Sequence, residues 1–266
     1  AGFTEMCAST CRDNAGRNSY EWLAEAVPRI DGIRVLDLAC GSGPLLETLY
    51  SRNTNVHLKG VDMSPEELAL AKVRLPYGAA TLFQLKAQDL NTISDDSIDV
   101  VLCHWALTLM NPIGPVLDEI RRVLSEGGRF AALVDGPMNM ASGYTEVHDL
   151  IYKYAQAELP GYGKVDLGDP RIRGTDSLNN LIGAAFPKAE VTVESNVVSM
   201  EGPADEIAKM AAGFFYAAFT LTKEIRGEML SELSDLLAIS NTSGNNVRQA
   251  RFSMPINRLL VIPPPE

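Results

Sequence analysis

The sequence predicts an α/β fold with a doubly wound sheet and a helical cap. Short apolar runs rich in branched residues alternate with helical apolar patterns through the first half of the chain, which is typical of strands joined by helices in a largely parallel sheet. The composition agrees with this, because 266 residues with 46% hydrophobic and 21% charged side chains are enough for one large folded α/β domain with a smaller lobe.

The first strand is predicted over residues 33–38, and it leads into a turn that contains Gly41 and Gly43. A helical pattern follows. Since glycine has no Cβ and a helix N-terminus presents N–H groups, this order of elements predicts a ligand-binding turn. Asp37 suits a cation or hydroxyl groups better than a pyrophosphate. Leu46 stands where the dinucleotide fingerprint requires its third glycine.

The second strand is predicted over residues 56–61 and ends at Asp62. A helix start follows it, with Ser64 as N-cap, Pro65 at the first helical position and Glu67 three residues after the cap. Because the carboxyl ends of neighbouring parallel strands meet at one edge of a doubly wound sheet, we expect Asp62 beside the glycine turn. A carboxylate there can accept hydrogen bonds from two ribose hydroxyls.

Three further strands are predicted over residues 81–86, 98–103 and 129–134. A helix with one apolar face is predicted over 116–124, between the fourth and fifth strands, and the glycines at 127–128 are its expected cap. Strands and helices therefore alternate in the order that a parallel sheet requires.

The run Asp37-Leu38-Ala39-Cys40-Gly41-Ser42-Gly43 has the form D-x-A-C-G-x-G, and the stretch from 118 to 130 reads DEIRRVLSEGGRF. Together with the strand ends, these features resemble the class I S-adenosylmethionine (SAM) dependent methyltransferases, in the small-molecule branch that includes quinone-biosynthesis enzymes. The resemblance covers about residues 20–135. It implies a Rossmann-like sheet of seven strands, mostly parallel with the last strand antiparallel, and SAM as cofactor.

The cofactor-binding positions that the resemblance implies are Tyr20, Asp37, Ala39, Gly41, Gly43, Asp62, Met63, Asp89, Leu90 and Cys103. In the family, the residue at Asp62 binds the ribose, and Met63 and Leu90 would lie against the adenine. Asp89 matches the position that accepts a hydrogen bond from the adenine amino group. Cys103 lies in the motif whose backbone contacts the methionyl amine.

Two of these positions have alternative interpretations. Tyr20, in a helix predicted over residues 19–27, either reaches the methionyl carboxylate or packs the helix on the sheet, and the second is favoured. His104 is either a general base or substrate contact, or a wall of the cofactor pocket. His104-Trp105 replaces the N/D-P-P-Y/F motif of enzymes that methylate base amines or side-chain amides, which disfavours that substrate class.

Beyond residue 135 the resemblance weakens. Tyr144, His148 and Tyr152 recur every four residues, so a helix over 144–159 would place them on one face. We take these three, with Asn139 and His104, as candidate catalytic residues, although the stripe is also compatible with a surface face. The loop that follows, up to Gly174, is either a mobile lid or a surface loop.

The expected organisation has four parts. These are an N-terminal helical segment (1–30), a SAM-binding core (31–135), a helix and lid region (136–189), and the last strands of the sheet with an inserted helical cap at about 203–238 (190–266). The last two strands are predicted over 190–198 and 251–262. An aromatic cluster at Phe214, Phe215, Tyr216 and Phe219 is expected to be mainly cap core, with the roof of an acceptor pocket or a dimer contact as alternatives.

The net charge of −11 argues against nucleic acid or an anionic membrane as the main partner. Four cysteines and no secretory leader pattern favour a cytoplasmic protein with free thiols. Cys7 and Cys11 would lie one helical turn apart, but no further metal ligands accompany them, so no metal is expected. The expected partner is a small-molecule acceptor, and a homodimer is possible.

Three rival functions remain open at this point. In the first, SAM is the only substrate, and its amine attacks its own side chain to close a small ring and release methylthioadenosine. The second is an NAD-dependent oxidoreductase, which Leu46 and the absence of a Tyr-x-x-x-Lys pair disfavour. The third is a SAM-binding subunit without activity of its own.

Overall fold

The computed structural model describes residues 2–163, 168–239 and 248–262, which form seven β-strands and nine α-helices. The strands are β1 (Arg34–Leu38), β2 (His57–Asp62), β3 (Ala80–Gln84), β4 (Ile98–His104), β5 (Leu124–Asp135), β6 (Glu190–Pro203) and β7 (Gln249–Ile262). The helices are α1 (Gly2–Thr10), α2 (Ser19–Ala24), α3 (Pro44–Arg52), α4 (Pro65–Arg74), α5 (Ile113–Val123), α6 (Tyr144–Glu158), α7 (Thr175–Ala185), α8 (Ala204–Phe214) and α9 (Lys223–Leu237).

All seven strands join one sheet in the order β3-β2-β1-β4-β5-β7-β6. Strands β1 to β5 pair in parallel, and β7 pairs antiparallel with β5. This confirms the predicted doubly wound sheet of seven strands. The chain runs outward from β1 to β3 and then returns to place β4 on the other side of β1, so the strand order reverses beside the carboxyl end of β1, where open α/β sheets bind ligands.

The centre of the sheet is apolar because both faces of β1 are covered. Val35, Leu36 and Leu38 have no exposed surface, which matches the continuous apolar run expected of a buried parallel strand. In β2, Gly60 lets neighbouring elements approach closely, since a Cβ there would lie 2.8 Å from side-chain atoms of both Leu46 and Leu82. The glycine therefore allows α3 to pack directly on the sheet.

The predicted start of α4 is confirmed. The Ser64 side chain accepts a hydrogen bond from the Glu67 N–H at 3.1 Å, and Pro65 occupies the first turn. The predicted apolar face of α5 is also confirmed, and its buried residues are Ile113, Val116, Leu117, Ile120 and Val123.

Three local expectations need correction. The glycines at 127–128 do not cap α5, because the helix ends at Val123 and Leu124 already pairs with Ile98 at the start of β5. The register shifts between Ile98 and Val100, so the glycines lie in an irregular part of this ladder. The N-terminal segment 1–30, which was expected to be helical, contains two separate helices, α1 and α2. Helix α7 was not predicted, although its apolar residues recur with helical spacing and two of them, Leu178 and Ile182, are fully buried.

The chain divides into two compact units, which are described separately. The core unit comprises Tyr20–Gly136, Leu167–Ser195 and Ile256–Glu266, and the helical unit comprises Ala1–Ser19, Pro137–Asp166 and Asn196–Pro255. Part of the predicted lid, residues 164–167, lies outside the described residues. Within the described ranges, no helix has the length and apolar character needed to cross a membrane.

The helical unit has its own apolar core. Helix α8 packs against α1 and α9, and α6 packs against α9. The Tyr144 ring lies 5.7 Å from Phe215 and 6.1 Å from Phe252, centroid to centroid. Phe215 is buried, whereas Tyr216 and Phe219 are exposed. Only part of the predicted aromatic cluster therefore belongs to the core of this unit.

We expect Ser64→Ala to lower the free energy of unfolding by about 1 kcal/mol, because α4 loses its N-terminal side-chain cap. Denaturant unfolding followed by circular dichroism measures this change. The matched control is Ser51→Ala, since Ser51 is exposed near the end of α3 and donates only to a carbonyl within its own helix. An equal loss in both variants would contradict a specific capping role for Ser64.

Candidate functional site

The turn between β1 and α3 holds three residues in left-handed backbone conformations. The φ angle is 60° at Ala39, 52° at Gly41 and 83° at Gly43. Glycine adopts such angles without a steric penalty, whereas alanine does so only when surrounding contacts compensate for the strain. A Cβ at Gly43 would also lie 3.2 Å from the Cβ of Ala71. The turn where a ligand is expected therefore has an unusual, left-handed backbone conformation.

Asp62 fixes this turn to the end of β2. Its carboxylate accepts a hydrogen bond from the Gly41 N–H at 2.8 Å and another from the Ser64 N–H at 2.9 Å. Each carboxylate oxygen keeps further acceptor capacity after one such bond. Asp62 therefore positions the glycine turn and can still accept hydrogen bonds from hydroxyl groups, as the sequence predicts.

Asp37 is the least satisfied polar group of the core unit. Its side chain is 1% exposed, and neither carboxylate oxygen has a hydrogen-bond partner among the described residues. Burial raises the pKa of Asp37 to about 8, and the negative charge of nearby Asp62 contributes to the increase. An unpaired buried carboxylate is costly unless it is protonated or pairs with a cation. The arrangement therefore favours a ligand that carries a positive charge or hydrogen-bond donors.

A pocket of about 570 Å³ opens beside these residues within the core unit. Ala39, Asp62 and Met63 contribute to one part of its lining. The other lining residues are Val61, Leu85, Lys86, Ala87, Gln88, Ala106, Leu109, Met110, Asn111 and Pro112. Met63 is 67% exposed, so its apolar side chain is available to contact a flat apolar group. The volume and lining suit a small organic ligand.

Two predicted cofactor residues, Leu90 and Asp89, lie differently from what was expected. Leu90 has no exposed surface and packs in the hydrophobic core, so its side chain does not line the pocket. Asp89 is exposed and is also absent from the lining, and this part of the wall comes from residues 85–88 instead. Cys103 is fully buried, and burial raises the pKa of its thiol to about 12. Only its backbone remains a candidate for ligand contact.

His104 stacks on Tyr20, with the two ring centroids 3.9 Å apart and the planes inclined by 21°. Burial lowers the pKa of His104 to about 3. The imidazole is therefore neutral near pH 7, and such a low pKa makes it a poor proton acceptor. A general-base role is therefore disfavoured for His104, whereas a substrate contact and a wall of the cofactor pocket stay predictions, since His104 is not among the lining residues of the 570 Å³ pocket. Tyr20 is 7% exposed, which agrees with its predicted packing role.

Trp105 and Asp135 form a half-buried pair that the sequence did not reveal. The indole N–H of Trp105 donates to Asp135 at 2.8 Å, and the Trp105 backbone has a positive φ of 53°. The rings of His104 and Trp105 meet edge to face, with centroids 5.2 Å apart. The pair therefore helps to hold His104 at the end of β4. The sequence feature that could have indicated a functional role for Asp135 is its position directly after the fifth predicted strand.

The other four candidate catalytic residues belong to the helical unit. His148 and Tyr152 share one face of α6 as predicted, and their rings stack with centroids 4.1 Å apart. His148 also contacts the carboxylate of Asp149 at 2.9 Å. Tyr144, on the same face, is buried among phenylalanines, so it forms part of the core of this unit. Asn139 is exposed in a short 3₁₀ turn.

Comparison with known proteins identifies the part of the chain that contains this pocket. Residues 30–159 match a family model described as a methyltransferase domain. The matched segment contains the glycine turn, Asp37, Asp62 and the whole pocket lining, so the unusual geometry lies inside this segment.

Curated relatives match a segment of similar length. An uncharacterized methyltransferase from Synechocystis is 38% identical over 106 residues, which are 39% of this chain and 47% of the relative. A ubiquinone biosynthesis O-methyltransferase from Aeromonas salmonicida is 31% identical over 111 residues, or 41% of this chain and 46% of the relative. The chain thus spans about half the length of these curated relatives.

A solved structure matches nearly the whole chain. The YcgJ protein from Bacillus subtilis superimposes with a TM-score of 0.61 and 16% sequence identity, over 93% of this chain and 99% of that protein. At this identity the match establishes the fold alone, and it supports the doubly wound sheet described above.

Among the described residues, no group of three or more histidine, cysteine, aspartate or glutamate side chains could hold a metal ion. Cys40 and Cys103, the two cysteines near the glycine turn, are buried free thiols.

We expect the unliganded protein to lose stability as the pH rises from about 4 to about 8. The reason is that the pKa of Asp37 is about 8 in the folded state, whereas an aspartate in the unfolded chain has its ordinary pKa of 3.8. Folding thus favours the protonated acid, and this contribution disappears as the pH passes the folded-state pKa. Thermal unfolding at several pH values measures the slope, which should be smaller in Asp37→Asn. The exposed control Asp118→Asn should retain the wild-type slope, and a wild-type slope in Asp37→Asn would contradict the assignment.

Proposed function

We propose that this chain is a SAM-dependent methyltransferase that acts on a small molecule. The observation that carries the proposal is the buried, unpaired carboxylate of Asp37 in β1, two residues before the left-handed turn begins at Ala39. Ala39 and Asp62 line the 570 Å³ pocket, whereas Asp37, Gly41 and Gly43 are not among its lining residues. The methyltransferase domain match supports the reaction class. Relatives named for ubiquinone and menaquinone biosynthesis support a small-molecule acceptor.

The residues of the core unit fit SAM group by group. Asp37 offers a buried negative charge to the methionyl ammonium, which would supply the partner that the carboxylate lacks. Asp62 retains lone pairs for the ribose hydroxyls after it has accepted bonds from Gly41 and Ser64. The exposed thioether of Met63 and the apolar wall of the pocket offer a surface for the adenine.

When bound, SAM supplies a methyl group on a positively charged sulfur, which is already a strong electrophile. The protein therefore needs mainly to orient the acceptor and to exclude water. His104 and Tyr20 are proposed to form a rigid aromatic wall for this purpose, since the neutral imidazole of His104 can still form a hydrogen bond with an acceptor. The Trp105–Asp135 pair holds that wall in place.

Asn139, Tyr144, His148 and Tyr152 remain proposed acceptor-binding or catalytic residues. The partly exposed stack of His148 and Tyr152 is the strongest of these candidates, because it combines aromatic surface with a polar edge. The buried position of Tyr144 favours a structural role. The net charge of −11 further supports a small molecule over nucleic acid as acceptor. A cytoplasmic location and a homodimer stay predictions.

The first test incubates the purified protein with SAM alone and then with a panel of phenolic, quinol and amine acceptors. Mass spectrometry follows the products. We expect SAM to bind and remain largely intact until a suitable acceptor is added, and then to yield S-adenosylhomocysteine and a methylated product. Rapid release of methylthioadenosine without an acceptor would instead indicate an intramolecular cyclase. Failure to bind SAM would overturn the cofactor assignment.

We expect Asp62→Ala to weaken S-adenosylhomocysteine binding by about tenfold to a hundredfold, because hydrogen bonds to a charged acceptor contribute about 1.5–3 kcal/mol. The same variant also loses the anchor of the glycine turn. Isothermal titration calorimetry measures the dissociation constant. Asp118→Ala, which removes an exposed carboxylate on α5 outside the pocket lining, should bind like the wild type. Unchanged affinity in Asp62→Ala would contradict the proposed ribose contact.

A further inference from the structure

Three sulfur atoms lie close together inside the helical unit, on residues that the proposed function does not use. The Cys7 Sγ atom lies 4.0 Å from the Cys11 Sγ atom and 3.7 Å from the Met254 Sδ atom. All three side chains have no exposed surface. Cys7 belongs to α1, Cys11 follows that helix, and Met254 belongs to β7, so the cluster joins distant parts of the sequence.

The backbone around the cluster is tightly fixed. The Cys11 N–H donates to the Cys7 carbonyl at 3.0 Å, which keeps the two cysteines one helical turn apart. The next residue, Arg12, exchanges two backbone hydrogen bonds of 2.8 Å with Ser199 of β6. The Ser199 hydroxyl in turn lies 2.8 Å from that of Ser253, immediately before Met254. The three sulfur atoms are therefore held in position by the fold.

This arrangement suits a soft metal ion. Thiolate and thioether ligands select Cu(I) over the harder divalent cations. With metal–sulfur bonds of about 2.3 Å, two ligands of a trigonal ion lie roughly 4 Å apart, which is close to the two sulfur–sulfur distances in this cluster. A tetrahedral zinc site would need further nitrogen, sulfur or oxygen ligands, and the described residues contain no group of three histidine, cysteine or acidic side chains that could supply them.

We propose that Cys7, Cys11 and Met254 bind one Cu(I) ion. On binding, the two S–H bonds break, two copper–thiolate bonds form, two protons pass to solvent, and the Met254 thioether donates a lone pair. No electron is transferred. The loaded site carries one net negative charge, and the guanidinium group of Arg12, which donates to the Cys11 carbonyl at 3.2 Å, provides a neighbouring positive charge. The site is independent of the proposed SAM chemistry.

The sequence alone did not suggest this site. The spacing of Cys7 and Cys11 predicts two thiols on one side of a helical turn, but the third ligand lies 247 residues from Cys7 in the chain. Methionine is also common in apolar cores, where it signals no metal by itself. Only the fold, which places the Cys7 Sγ atom 3.7 Å from the Met254 Sδ atom, brings the third sulfur into range.

The test titrates the reduced full-length chain, without oxygen, into a Cu(I) complex of bathocuproine disulfonate and follows the colour of the chelator. We expect the wild type to remove one equivalent of copper and to develop ultraviolet thiolate-to-copper absorption. Cys7→Ser and Cys11→Ser should each weaken binding by about a hundredfold, and Met254→Leu by about tenfold, since a thioether is the weaker ligand. Cys40→Ser and Cys103→Ser are the matched controls and should retain wild-type binding.

The proposal is wrong if the wild type leaves copper with the chelator, or if both cysteine variants bind it as the wild type does. Met254→Leu conserves apolar volume, so loss of copper by this variant with an unchanged circular dichroism spectrum separates ligand loss from misfolding. S-adenosylhomocysteine binding measured on the same samples reports the core unit separately. Failure of the copper site and failure of the proposed function are thus distinguishable.

Discussion

The buried carboxylate of Asp37 constrains the candidate site more than any other group. It ends a central strand with 1% exposure and no hydrogen-bond partner among the described residues, so it must be protonated or pair with a positive ligand. The surrounding residues are consistent with pairing to a positive ligand. The left-handed turn and the Asp62 carboxylate, which accepts a hydrogen bond from Gly41, lie at the same edge of the sheet, where open α/β sheets bind ligands. Because burial raises the pKa of Asp37 to about 8, the carboxyl group of the unliganded protein is mostly protonated near pH 7, and pairing with a cationic ligand would release this proton.

Much of the core unit could be predicted because local signals and tertiary structure agree. Local signals each predict one element: the apolar run before Asp37 predicts β1, the glycine spacing predicts the turn, and the Ser64 cap predicts the start of α4. The order of these elements predicts the parallel sheet. The predictions for Leu90 and Asp89 were weaker because they transferred a family position to a loop, where a shift of a few residues decides which side chain faces a pocket. The Trp105–Asp135 pair was not predicted, because neither periodicity nor a motif indicates a single hydrogen bond between the ends of two strands.

The helical unit could be predicted only in outline. Its helices follow from apolar periodicity, but the role of each side chain depends on packing that local sequence does not encode. Tyr144 and His148 had the same pattern on α6, yet one is buried beside Phe215 and the other keeps an accessible edge. The sulfur cluster around Cys7 likewise depends on tertiary packing, since its third member, Met254, lies 247 residues away in the sequence.

The measurement that tests the central claim most directly is proton release on ligand binding. Calorimetric titration of S-adenosylhomocysteine at pH 7, in two buffers of different ionisation enthalpy, counts the protons exchanged. If the ligand ammonium pairs with Asp37, whose pKa is about 8 in the free protein, the wild type should release close to one proton per site, and Asp37→Asn should release none and bind more weakly. Equal proton release and equal affinity in the two proteins would contradict the account.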